Sequence, residues 1–269
     1  MTADLQPYEI YAVKYAERDA VQAQNFIFSD SHDVPMPLDY FVWAIVGNGR
    51  TICVDTGFDA VEAKKRGRTH LRSPAEALRH VGVDAEKVEQ LVVTHMHYDH
   101  CGNLEMFPNA MIHLQDREMA FATGRFMREQ MLRHSFAVDY VTDLVRALYD
   151  DRMTFIDGVG EIAPGITLHH IGGHTDGLQV VRVWTRRGWV VLASDASHFY
   201  ANMERGNPFP VVFNVGEMLA GHRTLGVLAD SPQHIIPGHD PLVMTRYPTA
   251  GKETDGIAIR VDVDPLNWD

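Results

Sequence analysis

The chain has 269 residues, 45% hydrophobic and 22% charged, with 36 acidic against 24 basic side chains and a formal charge of −12. That length is enough for a substantial core and reads as one domain over residues 1–269. No apolar run approaches the ~20 residues that span a bilayer, and no Lys/Arg stripe stands out to neutralise phosphates, so the expectation is no membrane and no nucleic-acid partner. Met1 to Ala12 carries Asp4 and Glu9 and lacks a basic segment leading into an apolar core, unlike a secretory leader, so a cytoplasmic protein is expected. Cys53 and Cys101 are too few for a disulfide framework and read as reduced thiols.

Tyr8 to Tyr15 reads as a first strand, and the polar Ser29-Asp30-Ser31-His32-Asp33 with Pro35 and Pro37 as a loop. Tyr40–Val46 and Arg50–Val54, separated by Gly47-Asn48-Gly49, form the clearest hairpin. Its second strand delivers Asp55-Thr56-Gly57, where the carboxylate is suited to orienting a metal-ligand histidine, although acids at strand ends are more often capping groups. Ser73-Pro74-Ala75-Glu76 has the form of a capping box and predicts a helix ending near Gly82. Leu91 to Val93 is a short buried strand, and Ala110 to Leu114 the next, with His113 a structural residue on it. From about 116 to 150 the apolar spacing turns helical, predicting an insertion of two or three helices. Strand patterns return at Met153–Ile156, Ile166–Ile171, Leu178–Trp184 and Trp189–Ala193, followed by a helix over Gly216–Leu228 and a short strand at His234–Ile236. Beyond Thr249 the sequence carries little pattern. Two mixed sheets follow from this order.

Chemistry concentrates at strand ends. After Leu91-Val92-Val93 come Thr94-His95-Met96-His97-Tyr98-Asp99-His100. His95 and His97 alternate to one side of an extended segment, while Asp99 and His100 follow where the chain turns, so these ligands need not serve a single metal. Three further apolar strands end alike, at Gly172-Gly173-His174, Ala193-Ser194-Asp195 and Pro237-Gly238-His239. A lone histidine is usually a hydrogen-bonded structural residue, but this repetition argues for a shared metal site.

The pattern His-x-His-x-Asp-His, then His174, Asp195 and His239, resembles the metallo-β-lactamase superfamily over most of the chain. The resemblance implies an α/β (α+β) fold, a four-layer αββα sandwich with a binuclear metal site at one edge. Carried over by position, it gives one metal His95, His97 and His174, the other Asp99, His100 and His239, with Asp195 bridging. Two divalent ions are implied, zinc before iron or manganese.

Within the superfamily the chain is most similar to the N-acyl homoserine lactonase group, on Asp55-Thr56-Gly57, Asp195, its compact length and the lack of a glutathione- or nucleic-acid-binding extension. That group usually has a tyrosine three positions after the bridging aspartate. Here the position is His198, with Tyr200 out of register, which leaves open a direct substrate contact, a packing role beside Asp195, or another substrate class such as a lactone bearing a carboxylate. The resemblance implies a metal-dependent hydrolase that opens a small lactone by attack of a metal-bridging hydroxide, with Asp99 and His198 as catalytic candidates. Met36, Phe41, Phe199, Tyr200, Met203 and Phe209 are candidates for an apolar pocket, and Phe126, Met127 and Met131 for a lid over it. Cys101, His169 and His170 are read as structural. A glyoxalase-II-like thioester hydrolase is the main rival; a β-lactamase, a di-iron redox protein and a metal-binding scaffold stand behind it. The Met- and Phe-rich insertion also suits a partner subunit, leaving a homodimer open.

Overall fold

The computed structural model describes residues 5–29 and 34–268. Of the expected polar loop, residues 30–33 lie outside the described residues, as do residues 1–4 of the N-terminal segment. In chain order, β1 (Glu9–Arg18), β2 (Leu38–Gly47), β3 (Arg50–Val54), β4 (Thr69–His70), β5 (Gln90–Val92), β6 (Met111–Gln115) and β7 (Met153–Ile156) lie in a first sheet. A second sheet holds β8 (Val159–Ala163), β9 (Ile166–His170), β10 (Gln179–Thr185), β11 (Gly188–Ser194) and β12 (Ile235–Pro237), after which β13 (Ala258–Arg260) returns to the first. The orders are β13-β1-β2-β3-β5-β6-β7, with β4 on β1, and β12-β11-β10-β9-β8. Each sheet mixes an antiparallel part with parallel pairs, from β3 to β7 in the first and between β11 and β12 in the second.

Strand parity sorts the apolar residues into layers, because successive side chains point to opposite faces. Phe41, Trp43 and Ile45 of β2 meet Val181, Val183, Val190 and Leu192 of the second sheet in the inter-sheet core. Tyr40, Val42 and Ala44 face the other way, onto helices. That outer layer includes α1 (Ala60–Arg66), α2 (Pro74–Arg79), α3 (Tyr98–Cys101), α4 (Asp116–Ala122) and α6 (Val138–Tyr149), the short α5 (Gln130–Arg133) lying exposed between the last two. Beyond α7 (Tyr200–Glu204), α8 (Val215–Leu228) covers the outside of the second sheet through Leu225, and α9 (Leu242–Arg246) adds Val243 to the inter-sheet core. The four layers are therefore helix, sheet, sheet, helix.

Local chemistry accounts for the element ends. Asn48 and Gly49 both have positive φ, the turn that matches the twist of a two-residue hairpin, between Gly47 and Arg50 paired in register. Ser73 Oγ accepts the Glu76 amide at 3.2 Å to start α2, which stops at Arg79, short of the expected Gly82. Several elements were not expected, among them α1, β4, α7 and α9, and two strands show why. β8, whose Gly160 and exposed Val159 dilute its pattern, pairs with β9, and β13, in the patternless tail, pairs with β1 at Tyr11 and Arg260. Cys53 and Cys101 are both buried and unbridged. Among the described residues, no helix is long and apolar enough to cross a membrane.

Candidate metal centre and the cavity beside it

The ligand-bearing segments meet because the strands end together. β5 delivers His95 and His97, and the short α3, which begins just after His97, turns Asp99 and His100 back toward them. From the second sheet, β11 and β12 run parallel with Ser194 beside Pro237, so Asp195 and His239 leave adjacent strand ends. Gly238 permits that approach: a Cβ there would sit 2.7 Å from Ser194 O and 2.8 Å from Asp195 Oδ1. His174 follows the positive-φ pair Gly172-Gly173, and a Cβ on Gly173 would fall 2.5 Å from the Met218 amide.

Three-donor groups result at His95/His97/His174, at Asp99/His100/His239 and at His95/His100/Asp195, each with ligand atoms within 4.8 Å of one another. Asp195 divides its oxygens between the halves. Oδ1 lies 3.2 Å from His100 Nε2 and 3.0 Å from His239 Nε2, whereas Oδ2 lies 3.3 Å from His174 Nε2 and 3.9 Å from His95 Nε2.

Anchors on the far side of the rings set their direction. His100 Nδ1 donates to Asp55 Oδ2 at 2.7 Å, His174 Nδ1 to Val211 O at 2.6 Å and His239 Nδ1 to Asp39 O at 2.9 Å. Each leaves Nε2 aimed inward, where it would present its lone pair to a cation. Asp55 also accepts the Thr94 amide and hydroxyl, and Thr94 Oγ1 lies 3.2 Å from His95 Nδ1 and 2.9 Å from Ser194 Oγ. Asp55 and Ser194 hold positive φ, 61° and 45°. Such backbone costs ~1–3 kcal/mol per residue, and here both strained residues brace this network.

Do these residues fit a metal? His95 Nε2 and His174 Nε2 face each other at 3.1 Å, and His100 Nε2 and Asp195 Oδ1 are buried without a hydrogen-bond partner among the described residues. Two ligands each ~2.1 Å from a tetrahedral ion stand about 3.4 Å apart, within the span of these contacts. The donor set of imidazoles and carboxylates suits a divalent cation, so the residues fit.

The protein's own field points the same way. Burial, then neighbouring imidazoles, pushes His95 and His97 well below the usual histidine range, and burial brings His174 to about 4, so this half presents neutral rings. On the other half burial would also lower His100 and His239, but the carboxylates beside them, Asp195 foremost, outweigh it and hold both up. Burial would raise Asp195, yet His239, His100 and His198 together pull it well below the carboxylate range. Positive charge is in demand there, and a bound cation meets that demand.

Asp99, His97, His174, Asp195, His198 and His239 line a cavity of about 90 Å³. His198 Nε2 donates to Asp195 Oδ2 at 2.8 Å and its ring stacks on Phe209, centroids 3.3 Å apart at 7°. The pocket candidates disperse. Phe41 points into the inter-sheet core, since strand parity gives the cavity its neighbour Tyr40. Met36, Phe199 and Tyr200 border a separate hollow with Asp240 and Arg246, and Tyr200 is buried. Phe126 packs on Phe121 and Phe213, and neither it nor Met127 borders the cavity. Met131 lines a smaller apolar hollow sharing His97, His134, His174 and Val211 with the first. His169 and His170 bond to Thr167 and to Asp176 O. His113 is buried, and its ring nitrogens have no hydrogen-bond partner among the described residues.

Sequence reasoning passed over Tyr40, Tyr98, Arg18 and Arg68 on the cavity wall. Tyr98 sits inside the ligand motif, and Arg68 follows the helix-ending Gly67; those placements were the available signals.

Fold and donor set together define a metal-binding αββα sandwich of the metallo-hydrolase type. The superfamily model for metallo-β-lactamases matches residues 36–239, and the chain belongs to that superfamily. An N-acyl homoserine lactonase of Bacillus sp is 32% identical over 133 residues, covering 49% of this chain and 48% of that protein. The chain thus spans about half the length of the lactonases it matches. A probable metallo-hydrolase of Mycobacterium tuberculosis is 25% identical over 213 residues, 71% of this chain and 67% of that protein. Among solved structures, a quorum-quenching N-acyl homoserine lactone lactonase superposes with a TM-score of 0.73 at 21% identity, covering 89% of this chain and 95% of its own. A probable metal-dependent hydrolase from Staphylococcus aureus gives 0.73 at 14% identity, covering 98% of each. At these identities the superpositions speak for the fold.

Proposed function

We propose that the chain is a binuclear metal-dependent hydrolase that opens a small lactone, an N-acyl homoserine lactone or another compact ring. The division of the Asp195 oxygens between two sets of imidazoles carries this reading, because a carboxylate facing both sets would serve a cation held in each. His95, His97 and His174 would hold one ion, Asp99, His100 and His239 the other. When bound, two divalent ions, zinc by donor type, supply hydroxide near neutral pH and polarise a carbonyl.

The protein's own residues then position and move protons. Asp99 lies on the cavity wall with Oδ2 3.8 Å from His100 Nε2 and 3.7 Å from His239 Nε2. It steers the attacking oxygen and passes a proton toward the leaving alkoxide. His198 commits Nε2–H to Asp195, so toward the cavity it offers Nδ1 as an acceptor, where a tyrosine would offer a donor. It therefore aligns Asp195 and would offer an acceptor to a substrate that carries a donor, such as the amide N–H of an N-acyl homoserine lactone.

The test is a panel of lactones, thioesters and β-lactams on zinc-loaded protein, read by product mass. Lactones gaining one water fastest is the expected result, and faster thioester turnover would replace this reading with the glyoxalase-II-like one. For the proton role, Asp99→Asn loaded with excess zinc until elemental analysis finds two metals should lose about 100-fold or more in kcat. Full turnover with both metals present would remove Asp99 from proton handling.

A further inference from the structure

The protein carries a formal charge of −12, yet the cavity wall bears the guanidinium groups of Arg18, Arg66 and Arg68. Arg66 is fully engaged in structure: Nε to Glu62, Nη1 to His134 O, Nη2 to Phe136 O, and its plane 3.9 Å over the Tyr98 ring. Arg68 is not. Its Nε donates to Tyr98 Oη at 3.0 Å and its Nη1 to Arg66 O at 2.8 Å, while Nη2 has no protein partner among the described residues. No carboxylate among the described residues lies within ion-pair distance of it.

This placement is built in. Gly67, at φ 63°, ends α1 in the left-handed conformation, and the Arg68 amide closes the turn on Ala63 O at 2.8 Å. Thr69 and His70 then pair with Glu17 and Ala16 of β1, fixing the segment at the cavity mouth. Tyr98 Oη also meets Tyr40 Oη at 3.2 Å, and Tyr98 directly precedes Asp99. A half-buried arginine with no carboxylate in ion-pair contact, Asp99 acting on it only from a distance, and held on a rigid hydroxyl, is a preformed seat for an anion. The cavity, about 90 Å³, is far below the ~300–1,000 Å³ of pockets for drug-sized ligands.

We propose that Arg68, held by Tyr98, seats a carboxylate carried by the substrate, so that the ring opened here is a compact anionic lactone instead of one with a long neutral acyl chain. The proposal rests on the lactone reading for the ring and on Arg68 for the charge, and the two are tested separately. Zinc-loaded protein is assayed with γ-butyrolactone and with the same ring bearing a carboxylate. The carboxylated ring should have the higher kcat/KM, and in Arg68→Met that preference should fall about 10- to 100-fold, mainly through KM, as expected for loss of a charge-assisted hydrogen bond. Arg68→Lys, which keeps the charge without the fork, should fall between.

Binding of cyclopentanone and its carboxylated ring, analogues that cannot be opened, to zinc-loaded protein, followed by calorimetry, needs no turnover. Tighter binding of the carboxylated ring that disappears in Arg68→Met supports the anion seat even if neither lactone is opened, an outcome that would sink only the lactone reading. A preference unchanged in Arg68→Met, or equal binding of the two rings, overturns the seat while leaving lactone hydrolysis intact.

Discussion

Asp55 does not line the cavity beside the candidate ligands, yet it decides what His100 can do. Fully buried, it accepts the Thr94 amide on Oδ1 and the His100 Nδ1–H on Oδ2, leaving His100 Nε2 to present its lone pair to a cation. Asparagine tolerates the positive φ at this position, so Asp55→Asn changes the chemistry and spares the backbone. With its oxygen kept on Thr94, the new amide would face the His100 Nδ1–H, and relief requires moving that proton to Nε2, which abolishes a ligand. Orienting partners of this kind are worth ~10–100-fold in metal affinity. Elemental analysis after dialysis should find near one metal equivalent in the variant against two in the native chain, and two in both would show that Asp55 does not set the tautomer. At this scale the clustering of the candidate ligands was legible because each group follows an apolar strand end, a pattern that survives without a structure. Tyr40 and Arg68 had no such pattern. Phe41 was assigned to the pocket in place of Tyr40 because which face of β2 borders the cavity depends on what covers the sheet, and sequence alternation does not carry that information.

Between elements, Glu118 ties together the two loops that bring histidines from opposite sheets. From the first turn of α4 it accepts the Met96 amide at 2.8 Å, Thr175 Oγ1 at 2.6 Å and the Gly177 amide at 3.0 Å, so it touches the backbone beside His95, His97 and His174 at once. Burial raises its pKa from 4.5 to about 7 despite these donors. For an acid raised on folding, the native state keeps a proton that the unfolded chain has released between those values. Stability from this group therefore falls as pH rises through that window and is level above it, by on the order of 3 kcal/mol. Glu118→Gln resembles the protonated acid and lacks the slope. Urea unfolding of both chelated proteins should show the native chain's advantage over the variant shrinking between about pH 5 and about pH 8; a constant difference would mean that Glu118 does not titrate there. The β2–β3 hairpin and the Ser73 helix start were readable because turn and cap chemistry is local. β13 was not, because its three residues gain strand character only from β1, far away in sequence.

Across the whole molecule the candidate ligands would form a cross-link once metal is bound. His95, His97, Asp99 and His100 come from the first sheet, whereas His174, Asp195 and His239 come from the second, so bound metals would staple the strand ends of both layers. The inter-sheet core of Ile10, Trp43, Ile52, Val183, Val190 and Ile236 does not depend on that staple. Chelation is therefore expected to leave the protein folded but less stable. A ligand present at 1,000 times its Kd adds ~4 kcal/mol, and for a chain of this size each kcal/mol moves Tm by roughly 2–4 °C. Chelated protein should melt about 10 °C below the zinc-loaded form, with zinc restoring the difference. Hydrogen exchange should rise on chelation in the four ligand segments at the ends of β5, β9, β11 and β12, and should stay unchanged in the central strands β2 and β10. Complete unfolding on chelation would show that the core does not hold the sheets without metal. An unchanged Tm would show that no metal joins them.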